Sequence, residues 1–231
     1  MMRAMVVRVE LAEAQVVDDP TLRDLLDDTE RARSERKRDP VPFVSAHALV
    51  RTVLARRLEA APQDLRFLRR CPTCGSRNHG KPTLAGHQGI AFSLSYTDTL
   101  AVIAVTDGID VGVDVEHVSE ADFGGFARVT MAPDEADAFG DLHGVELLSA
   151  RAQVWARKEA ILKATGHGLV VDPTEVVVSP PGEPARLVAW RAAEPPPVAV
   201  AVSDAVLESP AHRASVAVLA SEPVEITRTG R

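Results

Sequence analysis

The sequence has 231 residues, enough for one large domain or two small ones. Hydrophobic residues make up 45% and charged residues 26%, which is ordinary globular usage and excludes a disordered or fibrous chain. The net charge of −7 argues against a dedicated nucleic-acid binder, two cysteines cannot make a disulfide-rich scaffold, and no apolar run reaches the ~20 residues of a membrane helix.

Residues 4–11 alternate loosely and are rich in Val, which predicts a first strand. Arg8 and Glu10 break its apolar character, so a secretory signal is not expected and a soluble, cytoplasmic protein is. Residues 20–33 suit a helix with Asp19 as cap, and residues 44–60 carry a helical apolar stripe. From 31 to 70 there are eleven Arg or Lys against four Asp or Glu, a local excess of +7 that leaves about −14 for the rest. Charge is therefore segregated, and an anion site in the N-terminal half follows.

Residues 71–89 have loop composition, and 90–96 alternate as a strand. Strands at 100–106 and 111–118 flank Asp107-Gly108, which predicts a hairpin. Pro133 opens a helical pattern with Asp134 and Glu135 in its first turn. Residues 145–165 give the strongest helix, with Gly166 as its stop. Closing strands are expected at 175–179, 185–191, 198–202, 215–220 and 224–227. Each half runs helix, helix, then strands, which suggests a duplicated α+β unit with halves 1–109 and 110–231.

Three stretches carry chemistry. In Gly112-Val113-Asp114-Val115-Glu116, a strand puts both carboxylates on one face. Paired carboxylates repel and are settled by a hard cation such as Mg²⁺, or else the strand simply exposes two solvated acids. In Trp155-Ala156-Arg157-Lys158-Glu159-Ala160-Ile161-Leu162-Lys163, a helix aligns Trp155, Glu159 and Lys163. Glu159 could then be a third metal ligand or a general base, or part of an ordinary Glu–Lys pair. Only four of the 26 basic residues are Lys, and two of them, Lys158 and Lys163, sit in this helix. The third stretch is Gly80-Lys81-Pro82 followed by Phe92-Ser93-Leu94-Ser95-Tyr96.

In this order and spacing, the motifs resemble the Sfp-type (surfactin-synthetase-type) 4′-phosphopantetheinyl transferases over residues 30 to 180. The resemblance implies an α+β fold of two similar halves, related by a pseudo-twofold, with the active site in the cleft between them. It implies that Asp114, Glu116 and Glu159 hold Mg²⁺ against the pyrophosphate of coenzyme A, with Glu159 also the base. Lys163 would touch a phosphate and act in catalysis, and Lys158 would line the same site. Lys81 and Pro82 would border the adenine, with Ser95 and Tyr96 near the phosphates. The reaction implied moves phosphopantetheine from coenzyme A to a serine of an apo acyl or peptidyl carrier protein, releases 3′,5′-ADP, and needs neither nucleic acid nor membrane. A monomer is expected, since two halves in one chain can form the cleft. The alternatives are a non-catalytic homologue that binds coenzyme A or a carrier protein, and a Mg²⁺-dependent nucleotide pyrophosphate hydrolase.

The chain departs from the family where Ser95-Tyr96-Thr97 replaces a Ser-His-Ser arrangement. A phenol brings no positive charge, so Tyr96→His is expected to tighten coenzyme A binding. Basic residues that would grip the 3′-phosphate are, as a group, Arg31, Arg33, Arg36, Lys37 and Arg38, in a region that Pro40 and Pro42 interrupt. Cys71 and Cys74, with His79 and His87, come near a zinc spacing; bound zinc, a redox pair and unligated thiols all remain open.

Overall fold

The computed structural model describes residues 5–69, 75–76 and 80–229. Cys71, Cys74 and His79 lie outside these residues, so the proposed zinc spacing does too. In chain order the elements are β1 (Val7–Gln15), α1 (Asp28–Ser34), α2 (Val41–Leu58), β2 (Phe67–Arg69), β3 (Pro82–Leu84), β4 (Ile90–Tyr96), β5 (Leu100–Asp107) and β6 (Val111–His117). There follow α3 (Phe126–Thr130), α4 (Pro133–Ala136), α5 (Gly144–Thr165), β7 (Val176–Val178), β8 (Leu187–Trp190), β9 (Ala201–Ala205), β10 (His212–Val218) and β11 (Val224–Arg228). The fold is mixed α+β, as expected.

Two main sheets organise the chain. One has the order β11-β1-β5-β4 and the other β6-β10-β9, with small two-stranded pairs β2-β3 and β7-β8 beside them. Helix α2 covers the first sheet, burying Val50, Val53 and Leu54 against Phe92, Ile103 and Val105. Helix α5 covers the second through Ala160, Ile161, Leu162 and Ala164. Between the two sheets Val111, Val113 and Val115 pack with Val9, Leu11, Leu100 and Val102.

Several expectations needed correction. The predicted hairpin between β5 and β6 does not form. Strand β5 already has β1 on one edge and β4 on the other, so it has no free edge. Gly108, at φ 68°, turns the chain out of the first sheet, and β6 pairs with β10 instead, Asp114 opposite Ser215. The helix expected over 20–33 is broken. A short 3-10 turn capped by Asp19 ends at Leu25, and α1 starts afresh from a capping box on Asp27 and Glu30. The 71–89 loop contains β3, which pairs with β2. The helix expected over 44–60 starts earlier, at Val41, because Pro40 and Pro42 occupy its N-cap and first turn, where no backbone N–H is needed. The final strand, β11, lies in the first sheet beside β1 and so crosses the border drawn at 109–110.

Candidate active site

The two sheets meet along β4 and β6. Ser93 Oγ accepts from Val113 N at 3.0 Å, and Ser95 Oγ donates to Asp114 Oδ1 at 2.8 Å. Alternation along β4 sends both serines to this seam, and alternation along β6 turns Gly112, Asp114 and Glu116 the other way from the valines, towards α5.

Gly112 sets the distance between strand and helix. A Cβ built there would lie 2.0 Å from Ala160 O and 2.4 Å from Ala164 N, so only glycine lets α5 lie this close. That approach brings Glu159 and Lys163, one helical turn apart, over Asp114. Lys163 Nζ donates to Asp114 Oδ1 at 2.6 Å and to Ser95 Oγ at 2.9 Å.

Three carboxylates thus share one ammonium. Asp114 is buried, and its Oδ2 has no hydrogen-bond partner; neither does the buried Glu159 Oε1. Burial, with Asp114 close by, pushes the Glu159 carboxyl up to about 7. The same two causes push Glu116 to about 9. Unsatisfied buried oxygens and carboxyls held back from ionising fit a site that takes a hard cation. Among the described residues, no three acidic, His or Cys side chains already stand at ligand spacing, and Lys163 occupies Asp114 Oδ1.

Lys158 does not line the site. One position from Glu159 is 100° around the helix, and this turns Lys158 into the core. There it donates to Glu135 Oε2 at 2.5 Å and to Pro173 O at 2.9 Å. Glu135 also accepts from Ala132 N and Val178 N, so the pair ties α4, α5 and β7 together.

Beside the carboxylates opens a cavity of about 690 Å³, lined by Lys81, Pro82, Ser95, Tyr96 and Lys163 from the expected set, and by Arg33, Lys37, His47 and Arg69. Lys81 enters it tethered, donating to Asp110 Oδ1 at 2.6 Å and to Ala164 O at 3.1 Å. Of the five basic candidates before α2, Arg33 and Lys37 reach this cavity, each over the Phe43 ring. Arg36 lines an adjoining hollow, and Arg31 turns back to Asp28. The segment is held by buried Arg51, which donates to Glu30 and Asp27, each at 2.5 Å.

Arg69 and His47 were missed from the sequence. Arg69 was hidden in a run of basic residues, and a lone histidine on a helix carries no signal. Neither Arg33, Lys37 nor Arg69 has an acidic partner among the described residues. Burial, together with the field of these cations and of Arg51, holds the His47 imidazole down at about 3, and so neutral.

Residues 110–217 match the model of the 4′-phosphopantetheinyl transferase superfamily. Over these residues, a little under half of its length, the chain is similar to that superfamily. Similar proteins include the putative 4′-phosphopantetheinyl transferase slr0495 of Synechocystis sp., 30% identical over 65% of this chain and 61% of that protein. The 4′-phosphopantetheinyl transferase HetI of Nostoc sp. is 28% identical over 63% of this chain and 60% of its own length. The L-aminoadipate-semialdehyde dehydrogenase-phosphopantetheinyl transferase of Eremothecium gossypii is 33% identical over 64% and 54%. The alignments therefore span between half and two thirds of these relatives. The superfamily match begins at Asp110 and takes in Gly112, the three carboxylates and Lys163, whereas the cation-lined wall lies before it. No helix among the described residues is long and apolar enough to cross a membrane.

Proposed function

We propose that this chain transfers 4′-phosphopantetheine from coenzyme A to a serine of an apo acyl or peptidyl carrier protein, releasing 3′,5′-ADP. The observation that carries this reading is the juxtaposition of two unlike surfaces: a carboxylate cluster with orphaned oxygens opens directly onto a cavity whose Arg33, Lys37 and Arg69 have no acidic partner among the described residues. A pyrophosphate needs both, one side to hold its metal and the other its remaining charge.

Asp114, Glu116 and Glu159 are the residues that would hold Mg²⁺, which when bound neutralises charge on the pyrophosphate oxygens. Lys163 adds a point charge at the same oxygens, oriented by Asp114 and Ser95. Glu159, held near 7 by its surroundings, accepts the proton of the incoming serine hydroxyl as that oxygen attacks phosphorus. The bond to the 3′,5′-ADP oxygen breaks as the new one forms. Arg33, Lys37 and Arg69 take the 3′-phosphate, which would place the positive charge missing at Tyr96 on neighbouring elements.

The test is intact mass measurement of a panel of apo carrier proteins incubated with this protein, coenzyme A and Mg²⁺. A gain of one phosphopantetheine, abolished by EDTA or by replacing the carrier serine, is expected. Coenzyme A consumed with every carrier unmodified would identify a hydrolase. Coenzyme A bound and left intact would identify a binding homologue.

A further inference from the structure

Acidic side chains stand close to the cation wall and yet leave it uncompensated. Glu30 lies three residues before Arg33 on α1, the spacing of an ordinary Glu–Arg pair. It lines the same hollow as Arg33, Arg36, His47 and Arg69. Arg69 is within electrostatic reach of both Glu30 and Arg33. Among the described residues, however, neither Glu30 nor Asp27 pairs with Arg33, Lys37 or Arg69, and the nearby His47, 3.7 Å from Glu30, is neutral. Arg51 holds both carboxylates instead. Its side chain is fully buried, and its Nε donates to Glu30 Oε2 and its Nη2 to Asp27 Oδ2, each at 2.5 Å.

The same guanidinium reaches the other cation-bearing element. Nη1 donates to Pro62 O at 2.6 Å and to Leu65 O at 3.3 Å, and the group lies 5.0 Å from the centre of the Phe67 ring. Phe67 opens β2, and Arg69 closes it. One side chain therefore ties α1, which carries Arg33, to the strand that carries Arg69. Only the planar five-donor fork of Arg meets two carboxylates and two carbonyls at once. We infer that Arg51 is a positioning residue for the anion site: by holding Asp27 and Glu30 it leaves Arg33 and Arg69 charged and unpaired for a phosphate. Without Arg51, the Glu30 carboxylate is released in a hollow it shares with Arg33 and Arg69, and it neutralises them. Arg51 itself is buried and touches no ligand. This rests on the coenzyme A reading of the cleft proposed above, and adds the residue that keeps the site open to anions.

Calorimetry with coenzyme A and with 3′-dephospho-coenzyme A is the test. Arg51→Met removes the fork and keeps an unbranched side chain. A triple variant, Arg51→Met with Asp27→Asn and Glu30→Gln, removes all three charges and keeps the capping box, since Asn and Gln can cap at those two positions. The single variant is expected to bind coenzyme A about tenfold more weakly, the scale of one lost hydrogen bond to a charged group, and the triple variant to recover to within about threefold of wild type. Binding of 3′-dephospho-coenzyme A should barely change in either. If the single variant does not fold, the triple variant decides alone, because it strands no buried charge. Unchanged coenzyme A affinity in Arg51→Met overturns the inference. So does a triple variant that is folded by circular dichroism but still binds weakly, since a purely structural role is not rescued by removing carboxylates. Equal loss of both ligands in the single variant, with rescue in the triple, would keep the role of Arg51 and move the phosphate at the wall from the 3′ position to the pyrophosphate. The expected affinities with no carrier modified would sink the transfer reaction alone.

Discussion

On the first-sheet side of the cleft, Arg33, Lys37 and Arg69 stand with no acidic partner among the described residues, around an imidazole that burial and their charge keep neutral. On the α5 side, Asp114, Glu116 and Glu159 crowd around the single ammonium of Lys163. Each wall is electrostatically unfinished, with opposite sign, and the two do not neutralise each other except at Lys163. Elsewhere the same chain completes its buried charges: Arg51 has Asp27 and Glu30, Arg157 has Asp204, and Lys158 has Glu135. The contrast teaches that the imbalance at the cleft is specific to it, and that a ligand bringing both phosphate and metal would relieve both walls together.

The most severe way to break the acidic wall is Glu159→Gln or Asp114→Ala. Each is expected to lower carrier modification by roughly a thousandfold or more, the range for losing a principal electrostatic or proton-transfer group, with the fold retained. Near-normal rates in either variant, by the mass assay, would remove the carboxylates from the mechanism. Lys158→Met tests the completed pairs instead. It strands the buried Glu135 carboxylate and should cost about 3–5 kcal/mol in urea unfolding, while the folded fraction still transfers. A variant as stable as wild type would show that Glu135 manages on its two backbone donors alone.

These variants also show where the sequence was legible. Strand 90–96 and the helix ending at Gly166 could be read because their periods and caps are local signals, and the structure has them at β4 and α5. The shared face of Asp114 and Glu116, and that of Glu159 and Lys163, was legible because spacing within one strand or one helix fixes which side chains point the same way. Lys158 was misplaced because motif membership says nothing about which way a side chain turns, whereas 100° of helix rotation does. The β5–β6 hairpin failed because Asp107-Gly108 reports a turn but not whether the preceding strand has an edge left to offer. Gly112 was read only as part of a motif. Its role depends on Ala160 and Ala164, some fifty residues away, and no local pattern contains that.

Acid–base behaviour gives a milder test of the same contrast. Glu116 and Glu159 titrate at about 9 and about 7 in the fold, against 4.5 for a free carboxyl. Their contribution to stability is therefore fully present below about pH 4.5 and is lost as pH rises through 7 and then 9. In EDTA the melting temperature should fall from pH 6 to 9, and Mg²⁺ should reduce that fall. A flat profile in EDTA would mean the carboxyls are not strained by their burial. The smallest effect concerns Tyr96→His. Position 96 lies in the same field of Arg33, Arg69 and Lys163 that acts on the phenol. A histidine there would stay neutral in the free protein, as His47 does. Coenzyme A affinity by calorimetry should move by about twofold or less, not tighten as charge counting alone suggests. A larger gain would mean that bound phosphate charges the new imidazole.

The pairing of β11 with β1 has a consequence during synthesis. Arg8 and its partner Glu225 are 217 residues apart, so β1 can pair with β5 long before β11 has been made. Throughout that interval one long edge of the first sheet stays open, with its backbone donors and acceptors unclaimed. Such an edge invites pairing with another nascent chain. Slow translation late in the message would lengthen that exposure, and the yield of folded protein should be more sensitive to events at residues 224–228 than their surface position suggests.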